Sequence, residues 1–208
     1  WNDALRQLVG KSEALGILVM SSSIVGSNSH RKLNVDEFRG FALVEEFAPL
    51  VFINASDSKA AQMFTLAHEL AHIWLGESGV SESHLGEASV SRIEIWCNQV
   101  AAELLMPMEE LVQIYDPQQS QPEEIQRLIK IFKVSSLVVI RRLWDGGFID
   151  RNEFTVLYRK EIEKIQKLDR NGSGGSFYRT LGARVGKRFT RAVLSSTLEG
   201  QTLFQEAF

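Results

Sequence analysis

The stretch Ala61-Gln62-Met63-Phe64-Thr65-Leu66-Ala67-His68-Glu69-Leu70-Ala71-His72-Ile73-Trp74-Leu75 decides how this chain is read. Asp57 or Ser58 ahead of it can cap a helix, and Gly76 behind it can stop one. Within that helix His68 and His72 are four residues apart, so they project from one face, one turn from each other. Two imidazoles so placed can hold one Zn2+ at about 2.0–2.1 Å each. Glu69 falls on the adjacent face, outside the ligand arc but able to reach a water beside the ion, where a carboxylate serves as general base for hydrolysis. Ala61, Phe64, Leu66, Ala67, Leu70, Ala71, Trp74 and Leu75 make the helix apolar on nearly every side. Three polar groups on a buried helix are costly unless paired or bound to a metal, so the pair reads as a metal site before it reads as two satisfied core histidines.

A hydrolytic zinc takes three protein ligands and keeps a fourth position open. An H-E-x-x-H-x-x-G-x-x-H pattern fails here, because Leu75 stands in place of the Gly and Ser78 in place of the last His. The downstream candidates are Glu77, Glu82, His84, Glu87 and Glu94. The first four fall in residues 76–89, a Gly-, Ser- and Glu-rich stretch read as a loop, which is a poor platform for a ligand. Glu94 falls on a second helix, from about Val90 to Leu105 and ended by Pro107, that is otherwise apolar through Ile93, Trp96, Val100, Ala101, Leu104 and Leu105. That favours Glu94, with His84 as the next candidate. Asn98, one turn beyond Glu94, shares its face and can bond an imidazole or steady the carboxylate. Cys97 reads first as a small buried hydrophobe and second as a metal or redox contact. His84 and Tyr115 are candidates for steadying the oxyanion of a tetrahedral intermediate.

Working outward, residues 2–15 read as a short helix. Gly16–Met20, Phe38–Val44 and Leu50–Asn54 read as strands of a small, mostly antiparallel sheet, the last two joined by a hairpin. Helical patterns follow at 108–115, 123–132, 135–145, 152–168 and 179–194, with a Gly- and Ser-rich joint at 171–176. The fold class is therefore α+β, divided as 1–116 for the metal domain, 117–169 for a helical subdomain, and 170–208 for the joint and a basic amphipathic helix. The composition, 44% hydrophobic and 24% charged, is that of a globular protein and not of a disordered chain. No apolar run is long enough to span a membrane. The single cysteine excludes an internal disulfide and a four-cysteine zinc site, and it fits a reducing cytoplasm. The chain opens at Trp1 with neither an initiator Met nor a signal-peptide layout, so a piece of a longer protein is expected.

The string 61–75 together with Glu94-Ile95-Trp96-Cys97-Asn98-Gln99-Val100-Ala101-Ala102-Glu103-Leu104-Leu105-Met106-Pro107 resembles the ImmA/IrrE family of metallo-endopeptidases. The resemblance covers about residues 35–110. It implies a zincin-like core, one Zn2+ per chain held by His68, His72 and Glu94, and Glu69 as catalytic acid/base. It further implies a bacterial or mobile-element regulator that cleaves, or helps to inactivate, a helix-turn-helix repressor and so controls mobile-element transfer, stress or phage-defence genes. A competing expectation is a non-proteolytic regulator, its zinc structural or vestigial, that binds DNA or a repressor. Residues 125–143 have the look of a helix-turn-helix, but their second helix carries few basic residues, so helices packed on the core are the better reading. Arg184, Lys187, Arg188 and Arg191 form a basic stripe, read by default as a solvated face and otherwise as a contact for nucleic acid or an acidic partner.

Overall fold

The computed structural model describes residues 1–25, 28, 30–81, 91–168 and 186–199. In chain order the elements are α1 (Asn2–Ala14), β1 (Leu18–Ser22), β2 (Gly40–Leu43), β3 (Leu50–Asn54), α2 (Lys59–Leu75), β4 (Gly79–Ser81), α3 (Arg92–Leu105), α4 (Met108–Ile114), α5 (Gln121–Phe132), α6 (Ser136–Asp145), α7 (Arg151–Leu168) and α8 (Lys187–Leu198). The fold is α+β, a small sheet against the helix of the two histidines with a helical extension beyond it.

The sheet runs β1-β3-β2-β4. β2 pairs antiparallel with both β3 and β4, while β1 lies parallel to β3, so the sheet is mixed. Its faces follow from alternation along β3. Val51 and Ile53 point inward and join Ile17, Val19, Leu66 and Leu70 in one buried cluster, whereas Phe52 points outward and stacks on its register partner Phe41 at 5.2 Å. Leu8 and Val9 of α1 close that cluster from the side.

Several sequence expectations shift, among them the strand read at 38–44, which spans Gly40–Leu43, and the helix read at 179–194, which among the described residues spans Lys187–Leu198. The first strand starts at Leu18 and not Gly16, because Gly16 takes φ 98° in the turn that leaves α1. Residues 79–81, read as loop, form β4 by pairing with β2 in the register Phe41 to Val80. Three residues offer no periodicity to read; the ladder of β2 supplies the order.

α2 is held at both ends. Ser58 Oγ accepts the Ala61 amide at 3.2 Å, and Gly76 at φ 74° turns the chain so that the Glu77 amide reaches the His72 carbonyl at 3.2 Å. α2 lies across the inner face of the sheet, with α3 on its other side, and Met63, Leu66, Ala67, Leu70 and Ala71 are all buried between them. A second core gathers Met106, Leu111, Ile125, Leu128, Val134, Val139, Ile140, Leu143 and Ile149 from α4, α5, α6 and the segments beside them, and Phe64 of α2 packs against it. The two cores thus meet at α2, which makes it the central element of the molecule. Among the described residues no helix is long and apolar enough to cross a membrane.

Candidate metal centre

α2 places His68, Glu69 and His72 in the interior, with relative exposures of 4%, 0% and 2%. α3 then lays Glu94 over them. Glu94 Oε2 is 3.1 Å from His68 Nε2, Glu94 Oε1 is 3.1 Å from His72 Nε2, and the two Nε2 atoms are 3.2 Å apart. Three electron-rich groups converge on one point. Donors held at about 2.0–2.1 Å in a tetrahedral shell stand roughly 3.3–3.4 Å from one another, so the spacing matches the ligand shell of a small divalent cation. The donor set of two imidazoles and a carboxylate suits zinc chemically.

Asn98 aligns the first imidazole. Its Oδ1 lies 3.0 Å from His68 Nδ1, so Nδ1 carries the proton and donates, and the Nε2 lone pair faces Glu94 and His72. Burial lowers the pKa of His68 from its ordinary value. Glu94 pulls the other way, the neighbouring His72 lowers it further, and the Asn98 bond raises it, with burial the largest effect. The ring is therefore neutral at neutral pH, the form that binds a metal. His72 Nδ1 is buried with no hydrogen-bond partner among the described residues.

Glu69 is enclosed between α2 and β2. Gly40 makes that approach feasible: a Cβ there would lie 2.5 Å from Thr65 Cγ2, 2.8 Å from the Phe52 carbonyl oxygen and 3.3 Å from Glu69 Oε1. The close-approach glycine was legible only as an isolated Gly inside the strand pattern Phe38-Arg39-Gly40-Phe41-Ala42. Cys97, fully buried, also belongs to this centre. Its Sγ and one ring nitrogen each of His68 and His72 lie within 4.8 Å of one another, a group able to hold a metal ion. Burial, then the charges of Glu94, Glu69 and Glu77, push its thiol up to about 11, so without an ion it stays protonated.

These buried histidines, the carboxylate laid over them and the α+β frame around them fall within residues 12–143, which match the family model of the IrrE N-terminal-like domain of the M78 peptidases. The chain belongs to this family. Residues 185–208 match a second family model, described only as a domain of unknown function (DUF8813). No curated protein matches the chain.

For this M78 chain the remaining sequence candidates distribute as follows. Tyr115 is not brought to the metal centre; it packs on Phe148 at 4.3 Å, in the helical core. His84, Glu82, Glu87 and Arg184 lie outside the described residues. Glu77 is exposed just past the end of α2. Lys187 is the first residue of α8. Arg188 turns back on the protein, its guanidinium donating to the Glu13 carbonyl and its amide to Glu13 Oε1 at 3.1 Å, while Arg191 is exposed. α5 and α6 do form two helices about a tight turn, with Lys133 at φ 58°. Yet Val138, Val139, Ile140, Arg142 and Leu143 of α6 are buried. Arg142 points inward to Glu103 and to the Met106 carbonyl, 2.9 Å away, while Arg141 is exposed and pairs with Asp145 at 2.9 Å.

Proposed function

We propose that this chain is a zinc-dependent endopeptidase whose substrate is a helix-turn-helix repressor, and that His68, His72 and Glu94 hold the ion. The single observation that carries the zinc reading is the convergence of two Nε2 atoms and both oxygens of Glu94 within 3.1–3.2 Å. An ion bound there would supply Lewis acidity and an acidified water.

The chain's own groups supply the rest. His68 is kept neutral by burial and turned by Asn98. Glu69, beside the cluster and fully buried, takes the proton of the attacking water and returns it to the leaving amine. Burial of Glu69 between α2 and β2 excludes competing solvent from that carboxylate. β4 forms an end of the sheet beside α2, and an extended backbone can add to such an edge by main-chain hydrogen bonds; a peptide segment is therefore the substrate shape that fits. The repressor as that peptide's source follows from the family resemblance, as does the regulatory role.

The test is incubation with candidate repressors, with and without a chelator, followed by mass analysis of the products. Zinc-dependent fragments are expected. Glu69→Gln should abolish cleavage and leave zinc bound, because the carboxamide cannot accept the proton. Cleavage retained in that variant would overturn the role of Glu69, and cleavage that survives complete zinc removal would overturn the metal mechanism.

A further inference from the structure

The hydrolytic scheme gives Cys97 nothing to do. The thiol is 0% exposed and makes no hydrogen bond among the described residues. It is not isolated, however. With His68 and His72 it forms a buried trio whose donor atoms lie within 4.8 Å of one another. On α3 it sits one turn from Glu94, whose two oxygens contact both imidazoles. Two donor triads, His68–His72–Glu94 and His68–His72–Cys97, thus share the same pair of histidines, whereas a hydrolytic zinc needs only three ligands.

We propose that Cys97 is a fourth protein ligand, completing a His68–His72–Glu94–Cys97 set that closes the position a hydrolytic site leaves open. The proposal rests on the metal-centre reading above. A sulfur at about 2.3 Å and a nitrogen at about 2.0 Å from one tetrahedral ion stand roughly 3.5–3.6 Å apart. From a 4.8 Å limit between the sulfur and each imidazole nitrogen, closure shortens those distances by up to about 1.3 Å, within reach of a Cys χ1 adjustment combined with a small slide of α3 on α2. As the sulfur–metal bond forms, the S–H bond breaks and its proton leaves to solvent; nothing is oxidised or reduced. The consequence is a resting protein that holds its ion tightly and hydrolyses slowly until Cys97 is displaced. One site then serves as a structural clasp in one state and as a hydrolytic centre in the other.

The test uses the full chain, stripped of metal, kept reduced and loaded with Co2+. The wild type should show the near-ultraviolet thiolate-to-cobalt charge-transfer band. Cys97→Ala and Cys97→Ser should still bind one Co2+, seen in its visible ligand-field bands, but lack the charge-transfer band. Zinc affinity in both variants should fall by at least the roughly 10–100-fold typical of losing an outer-sphere partner. Should the variants fail to fold by circular dichroism, the wild-type spectrum alone decides. Visible bands without charge transfer in the wild type, or unchanged zinc affinity in folded Cys97→Ala, would overturn the fourth ligand and leave the three-ligand site standing. Failure of the wild type to bind either Co2+ or Zn2+ would overturn both.

Discussion

His68 shows how much of this centre is set by single contacts. Its folded pKa lies below the ordinary value of 6.5, chiefly through burial. As pH falls through about 6.5 the unfolded chain takes up a proton that the folded ring resists. The stability of the metal-free protein is therefore full above that pH and is lost progressively below it. Metal affinity falls in the same window, because ion and proton compete for the same nitrogen. Melting curves of metal-stripped protein across this range should show a falling midpoint on acidification; a rising one would contradict the assignment. Asn98 acts through its bond to His68. Asn98→Ala removes the acceptor for Nδ1 and should weaken zinc binding roughly 10–100-fold. The fold should be little changed, since Asn98 is itself an exposed residue. Zinc titration with circular dichroism as a control separates the two effects.

Among the elements, α2 has the tightest constraints. Its neighbour β2 approaches so closely at Gly40 that one methyl group would overlap Thr65 and the Phe52 carbonyl and press on Glu69. Gly40→Ala should cost about 1–3 kcal/mol through overpacking and should also displace the general base. The denaturation midpoint checks the first effect, and cleavage at a temperature where the variant stays folded checks the second. An unchanged midpoint would mean that α2 and β2 have room to separate. α6 carries a different lesson. A helix-turn-helix outline is visible in the residues, but of the two arginines on α6 Arg142 is turned into the protein by Glu103 and the Met106 carbonyl, and Arg141 alone is exposed, paired with Asp145.

At the scale of the whole molecule, hydrogen bonds between residues 175 apart join α8 to the end of α1. Gly186, at φ 71° and with the Val19 carbonyl oxygen 2.5 Å from where a Cβ would stand, lets the start of α8 press against β1, an edge of the sheet. Arg188 then fastens it to Glu13. Covering an edge strand protects its unpaired backbone groups from pairing with another chain. Gly186→Val combines a forbidden backbone angle with a clash, so α8 should undock. Faster hydrogen exchange in α1 and β1, with zinc binding unaltered, is the expected outcome. Unchanged exchange there would show that α8 contributes nothing to the stability of that edge.

What the sequence determined alone is what depends on near neighbours. The i, i+4 spacing of His68 and His72, the Ser58 and Gly76 boundaries of α2, the strand at Leu50–Asn54 and the Pro107 stop after α3 all follow from local geometry, and the structure has them. The helix that carries Glu94 favoured this residue as the third ligand without placing it over both imidazoles, since residues 82–90 intervene and spacing along the chain sets no distance across a turn. Tertiary structure alone decided the pairing of β4 with β2, the close approach at Gly40, the inward turn of Arg142 and the nearness of Cys97 to the histidines. Each depends on a partner remote in sequence. Hydrophobic periodicity says which face of an element is buried, whereas only packing says which residue waits on the other side.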